Sequence, residues 1–207
     1  FKNYRYLVNG KSDIYVYFFL YGLTFLKEGG KFGFITSNSW LDVKFGEGLK
    51  KVFLDNYKIN TIIAFDNGVF KDAIINTCIT ILEKSNRNNG INNVRFLRIK
   101  RFVEPENIMR FLAMDEDYED NLVKLTIVPQ RELKSDDKWS RFHRSPLIYY
   151  QILKNNKLIK LHEIAEVNYP YKTSANDFFI LDKNTAKEWG IEKEYLKPVI
   201  RSPRQLK

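Results

Sequence analysis

The sequence predicts an α/β fold, and three observations predict it. Residues 14–26 form a nearly continuous apolar and aromatic run, closed by Lys27-Glu28-Gly29-Gly30. That length and ending suit a buried helix with glycine available for a left-handed cap. Lys31 to Thr36 follows at once as a short apolar strand, read as buried on both faces. Ile59–Phe65 and Ala73–Leu82 are two further apolar runs rich in β-branched residues. The loop between them is short, and a parallel crossover needs a dozen or more residues. The two strands are therefore expected to be antiparallel.

The elements follow in order. Phe1–Ser12 is an aromatic, basic connecting segment, and Asp13 is placed to cap the first helix. Ser37-Asn38-Ser39-Trp40 is a polar loop at the carboxyl end of the first strand, where open α/β sheets bind ligands. Asp42–Asn56 has apolar residues at 43, 45, 49, 52, 53 and 54, the spacing of a helix packed on one face. Lys44, Glu47, Lys50 and Lys51 are assigned to its outer face. Ser85–Asn93 is polar and turn-rich. Val94–Ile99 and Leu122–Val128 read as strands, and Pro105–Met114 as a short helix opened by proline. Met114–Asp120 is an acidic, solvated stretch. Lys134–Pro146 is polar and holds Trp139, Arg141, His143 and Arg144; Leu147–Leu153 is helical. Leu158–Val167 fits a strand or a helix start, and Phe178–Leu181 a strand. The tail from Tyr195 to Lys207 is basic and extended.

Composition bounds the function. The chain has 207 residues, 44% hydrophobic and 15% aromatic, enough for a substantial core, and a net charge of +9 that favours a polyanionic partner. Its lone cysteine, Cys78, lies in an apolar run, so no disulfide forms within the chain and a reducing compartment is the natural setting. The first helix is shorter than the roughly 20 apolar residues that cross a bilayer and carries no signal-peptide cleavage pattern. No membrane role is expected. His143 and His162 stand apart, which gives no metal site, and Gly29-Gly30 lacks the spacing of a phosphate loop.

Asp13-Ile14-Tyr15-Val16-Tyr17-Phe18, then Gly29 to Ile35, then Ser37-Asn38-Ser39-Trp40-Leu41, resemble the middle motifs of adenine-N6 DNA methyltransferases of type II restriction–modification systems. Ile62–Leu82 resembles the motifs that follow: a strand, a Val-Phe loop at Val69-Phe70, and a strand containing Asn76-Thr77. Lys172–Ile180 and Tyr195-Leu196-Lys197-Pro198 are similar to the start of that family's target-recognition region. The resemblance covers roughly residues 10–85 and 160–207, and little of 90–157.

The resemblance implies the back half of a Rossmann-like methyltransferase sheet ending in an antiparallel strand, followed by a mixed α+β recognition region. It implies catalytic residues 1–87, a connecting region 88–157 and recognition residues 158–207. The implied reaction moves a methyl group from S-adenosylmethionine to adenine N6 in double-stranded DNA, with the base flipped out of the duplex, in the prokaryotic cytoplasm. The family's Asn/Asp-Pro-Pro-Tyr/Phe motif, which gathers the amine, is absent: prolines stand at 105, 129, 146, 170, 198 and 203, never adjacent. No catalytic residue is therefore assigned. An N-terminal half carrying that motif and the cofactor motif is expected before Phe1, and this stretch alone is expected to be inactive.

Few residues carry over. Phe70 matches the aromatic that stacks on the flipped base, with plain core packing as its other reading. Phe18 matches a contact to the cofactor's adenine ring, with the same alternative. Asn38 and Lys71 are candidate DNA contacts, as are Lys172, Thr173, Asn176, Arg201 and Arg204; Trp40 is read as packing under its loop. The family more commonly has glycine where Tyr171 and Ser174 stand. Two readings compete with the enzyme. One is a non-catalytic DNA-specificity module, which the basic charge and the recognition-like end would suit. The weaker one is an RNA methyltransferase or RNA-binding module, separated by competition between duplex DNA and RNA.

Overall fold

The computed structural model describes residues 12–66, 76–85, 92–153, 159, 161–166 and 173–200. The chain divides into two compact units, residues 1–158 and 159–207. The first unit is built on a six-stranded mixed sheet. Its strands are β1 (Lys31–Ser37), β2 (Tyr57–Phe65), β3 (Thr77–Lys84), β4 (Asn93–Ile99), β5 (Tyr118–Glu119) and β6 (Val123–Pro129), in the spatial order β1-β3-β2-β4-β6-β5. β3 lies between β1 and β2, antiparallel to both. The expected antiparallel pair is therefore present, although Ala73 to Ile75, the predicted start of that strand, lie outside the described residues. β4 is parallel to β2, and β6 is antiparallel to β4. Strands 94–99 and 122–128 thus continue the same sheet, which their local sequence gave no means of foreseeing.

Alternation along the strands sorts the core onto two faces. Ile62, Phe96 and Thr126 are register partners on one face, and Ile63, Leu97 and Leu125 on the other. The first face is covered by α1 (Ile14–Thr24), α2 (Gly46–Asn56) and the short α4 (Ser140–Arg144). Its centre is aromatic: Phe19, Trp40, Phe53, Phe96 and Trp139 are fully buried, with Trp40 set edge-on against both Phe53 and Trp139. The second face carries α3 (Pro105–Leu112), which lays the half-buried Ile108, Phe111 and Leu112 on Ile63, Leu97 and Leu125. Proline at its first turn agrees with the prediction. α5 (Leu147–Leu153) follows α4, and Tyr150 stacks on Phe142.

Several expectations are corrected. β1 is not buried on both faces: Phe32 and Phe34 pack inward, but Ile35 is exposed and a Cβ at Gly33 would meet no atom of the described residues within 4 Å. Gly29 does adopt a left-handed φ of 73°, but it shapes the turn into β1; the cap of α1 is Phe25, in a right-handed conformation. Asp13 occupies the N-cap position without a side-chain hydrogen bond. Lys50 is buried rather than outward (1% exposed). Its ammonium donates to the carbonyls of Leu41 and Asp137 and lies over the Trp139 ring.

In the second unit the described elements are α6 (Leu161–Ile164), α7 (Asn176–Phe179) and α8 (Lys183–Glu188), together with a 3₁₀ turn at Lys193–Tyr195. Phe178–Leu181 is thus not a strand. Thr173 and Asn176 open a helical turn here, and a local side-chain hydrogen bond joins them. Asp182 caps α8 by accepting from the amides of Asn184 and Thr185.

Candidate functional site

The polar loop after β1 folds as a 3₁₀ turn, Asn38–Leu41, and its geometry follows from its residue types. Ser37 Oγ accepts from the Ser39 amide and also bonds Ser39 Oγ, which bonds the hydroxyl of Tyr15 on α1. Asn38 donates its backbone N–H to the Asn76 carbonyl, at 3.0 Å, just before β3. Trp40 turns inward and is fully buried, as its sequence reading anticipated. The loop is thereby tied to a helix, a neighbouring strand and the core, which leaves the Asn38 side chain at the sheet edge.

α4 is fastened to the same loop. Trp139 N donates to Leu41 O at 2.9 Å, and Ser140 N donates to Asp42 Oδ1 at 3.3 Å. Lys50 bridges the two segments through Leu41 O and Asp137 O. A second buried lysine, Lys124 on β6, donates to Phe142 O at 2.6 Å and to Thr126 Oγ1 at 2.6 Å. Burial brings its pKa down to about 8. His143, also buried, bonds through Nε2 to the Ile62 carbonyl at 2.9 Å. A carbonyl can only accept, so Nε2 carries the proton and Nδ1 is the bare nitrogen. Burial, helped by the charges of Lys124, Arg98 and Arg144, lowers the His143 pKa to about 4, and the ring is neutral at neutral pH.

These fastenings enclose a cleft of about 530 Å³. It is lined by Asn38 and Leu41 after β1, by Ala64, Phe65 and Asp66 at the carboxyl end of β2, by Asn76 at the entry to β3, by Arg98 on β4, and by Ser140, His143 and Arg144 of α4. The carboxyl ends of the parallel strands and the entry of the antiparallel one share this edge, where an α/β sheet places its ligands. Asp66 and Arg98 form a two-pronged ion pair, Nε to Oδ1 at 2.7 Å and Nη2 to Oδ2 at 2.8 Å. Arg144 is held only loosely, 4.0 Å from Asp42. No group of His, Cys, Asp and Glu among the described residues has the arrangement of a metal site.

Of the predicted site residues, Asn38 lies in this cleft, while Phe18 lies on α1 outside the cleft lining, more than half exposed (57%). Thr173 and Asn176 belong to the second unit, where Thr173 Oγ1 donates to Asn176 Oδ1. Ser174 between them has φ 55°, the left-handed region that glycine enters without strain, which accounts physically for a glycine preference there. Phe70, Lys71, Lys172, Arg201 and Arg204 lie outside the described residues. Asp66, Arg98, Ser140, His143 and Arg144 were not singled out as site residues from the sequence. The available signal was Trp139 and Phe142, two aromatics one helical turn apart in a polar stretch, which mark a packed turn and bring their neighbours to the core edge.

Comparison with known proteins bears on what such a cleft serves. Residues 1–70 match the family model described as Eco57I restriction-modification methylase. The chain is 23% identical over 206 residues to the type II methyltransferase M.AccI of Acinetobacter calcoaceticus, a match covering 97% of this chain and 36% of that protein. It is 23% identical over 205 residues to the type II restriction enzyme and methyltransferase RM.Eco57I of Escherichia coli, covering 93% of this chain and 19% of that one. The fold is similar to that of the type IIG restriction endonuclease BpuSI, with a TM-score of 0.55 at 16% identity, over 95% of this chain and 25% of the other. The chain thus spans about a third or less of the length of these proteins. The resemblance read from the motifs is met by these matches: this chain is similar to the restriction–modification methyltransferases, with the family match in its first 70 residues and sequence similarity along nearly all of it.

Proposed function

We propose that this chain is part of a site-specific DNA methyltransferase of a restriction–modification system, one that moves a methyl group from S-adenosylmethionine to adenine N6. The observation that carries the reading is the ordered run of motifs from Asp13 to Leu82, folded so that Asn38 and Asn76 meet at one polar sheet edge. The similarity to two type II methyltransferases supports it.

Bound S-adenosylmethionine would supply the electrophilic methyl group. This chain's part is to bind and orient. Phe18, exposed on α1, offers an aromatic face to the cofactor's adenine ring. Phe70 is proposed to stack on the flipped adenine, a contact worth about 1–3 kcal/mol. Lys71, Lys172, Thr173, Asn176, Arg201 and Arg204 are proposed DNA contacts, with residues 158–207 opening the recognition region and residues 1–87 belonging to the catalytic domain. The Asn/Asp-Pro-Pro-Tyr/Phe motif is proposed to reside in another part of the same protein. Among the described residues β1 pairs only with β3, which leaves its other edge for a further strand of the catalytic sheet. No described helix is long and apolar enough to cross a membrane, and a cytoplasmic, DNA-associated protein is proposed.

Full-length protein incubated with duplex DNA and methyl-labelled S-adenosylmethionine should yield N6-methyladenine. The 207-residue chain alone should yield none. Phe70→Ala in the full-length protein should slow turnover about tenfold or more, the loss of one stacking contact. Label on cytosine, or activity from this chain alone, would overturn the reading. Unchanged kinetics for Phe70→Ala would place that ring in the core.

A further inference from the structure

The α4 side of the cleft is assigned no role by the motif resemblance, yet its chemistry is specific. Asn38 and Asn76 supply amides and Ser140 a hydroxyl, and none of the three side chains is engaged by a hydrogen bond among the described residues. Ser140, 8% exposed as a residue, lines the cleft wall. The two arginines differ. Arg98 is spent on Asp66 through two short bonds. Arg144 meets Asp42 only at 4.0 Å with its side chain 60% exposed, a pair worth little, so most of its five N–H donors remain usable. Asp42 is itself engaged by the Ser140 amide. Among the described residues, the cleft thus presents Arg144 as its available cation beside neutral donors, with the neighbouring Asp66 and Asp42 both engaged.

That set selects a ligand class. A metal cation would meet no free carboxylate cluster among the described residues. Among the described residues lining the cleft, the Phe65 ring packs into the cluster on the other side of the sheet, and on the reading above the flipped base is proposed to stack on Phe70 instead. A tetrahedral oxyanion suits a guanidinium flanked by amide and hydroxyl donors. On the methyltransferase reading, the oxyanion beside such a sheet edge is a DNA phosphate. We infer that the cleft seats one phosphodiester of the DNA backbone, with Arg144 as its cation and Ser140, Asn38 and Asn76 as neutral donors. The inference rests on the DNA-methyltransferase reading. Lys50 and Lys124 act behind it by holding α4 against the sheet.

A phosphate contact positions DNA without reading sequence, and each one releases counterions. The test is binding of the full-length protein to a duplex with its methylation site and to an unrelated duplex, across a salt series. Arg144→Gln should weaken both complexes about tenfold, the value of one charge-assisted hydrogen bond, and should reduce the salt slope by about one. Arg144→Lys should restore the slope. Arg110→Gln, the same charge loss on α3 across the sheet, should change neither. Thermal unfolding checks that each variant is folded. An unchanged slope in Arg144→Gln, when wild type methylates DNA, overturns the phosphate assignment and leaves the methyltransferase reading standing. Weakening confined to the methylation-site duplex overturns it too, in favour of base readout. A wild type that neither binds nor methylates DNA overturns the parent reading instead.

Discussion

Lys50 shows how a single residue can mislead a sequence reading and organise a site. The apolar spacing of α2 assigns every lysine to water, since a charge is almost never buried without a partner. The partners here are two backbone carbonyls, Leu41 O and Asp137 O, which lie 9 and 87 residues away in the chain. No local pattern announces them. Burial lowers the Lys50 pKa, so its position persists because the two carbonyls and the Trp139 ring replace water. Lys50→Ala would leave both carbonyls without that donor and a gap beside Trp139. It should destabilise the protein by about 2–3 kcal/mol in urea unfolding. A loss within experimental error would mean that water replaces the ammonium at no cost. Trp40 was more legible. A tryptophan in a serine-rich loop flanked by apolar segments packs inward, and it does.

At the scale of elements, the reading succeeds where periodicity and turn chemistry agree. α1, α3 and the strands β1, β2, β4 and β6 fall near their predicted limits, because apolar runs, or for α3 a proline start, are bounded by glycine, proline or polar turns. The predicted start of β3 lies outside the described residues. It fails at Phe178–Leu181, where a four-residue apolar run cannot distinguish helix from strand. It also falls short at α4, whose five residues are held by tertiary contacts rather than by propensity. The start of α2 adds a contact that no pattern reveals. A Cβ on Gly46 would sit 1.8 Å from the carbonyl oxygen of Trp40, so this glycine allows the helix to abut the loop. Gly46→Ala must push the two apart. It should cost roughly 2 kcal/mol or more, the range of strained small-to-large changes, and should weaken DNA binding by displacing Asn38. A variant as stable as wild type would show that the loop yields freely.

For the whole molecule, the sheet joins segments that the sequence keeps apart. The family resemblance fades after residue 85, yet Arg98 of β4 and residues of α4 return to line the cleft beside Asn38. Strand order is set by pairing across the whole unit, so the parallel placement of β4 beside β2 could not be read from either strand alone. Closing the cleft in this way buries His143 and Lys124 on the face where Lys50 is also buried, and stability should carry their titration. His143 has its pKa lowered to about 4, below the ordinary value of 6.5. Between those values the unfolded chain binds a proton that the folded protein does not. Stability should therefore be complete in this respect above pH 6.5 and fall with pH toward 4, at up to about 1.4 kcal/mol per pH unit. Lys124, lowered to about 8 from 10.5, has the same sign in a higher window. Its burial penalty is fully present below pH 8, and stability gains as pH rises from 8 toward 10.5. His143→Gln keeps an amide donor for Ile62 O but does not titrate. Urea midpoints of wild type and His143→Gln between pH 4 and 7 should converge as pH falls, the variant losing less stability than wild type. Asp120 and Asp182, whose pKa values are lowered mainly by backbone hydrogen bonds, add acid sensitivity common to both proteins and cancel in the difference. Parallel profiles would mean that His143 titrates in the folded protein as it does in the unfolded chain, and that the ring opens to water at the cleft.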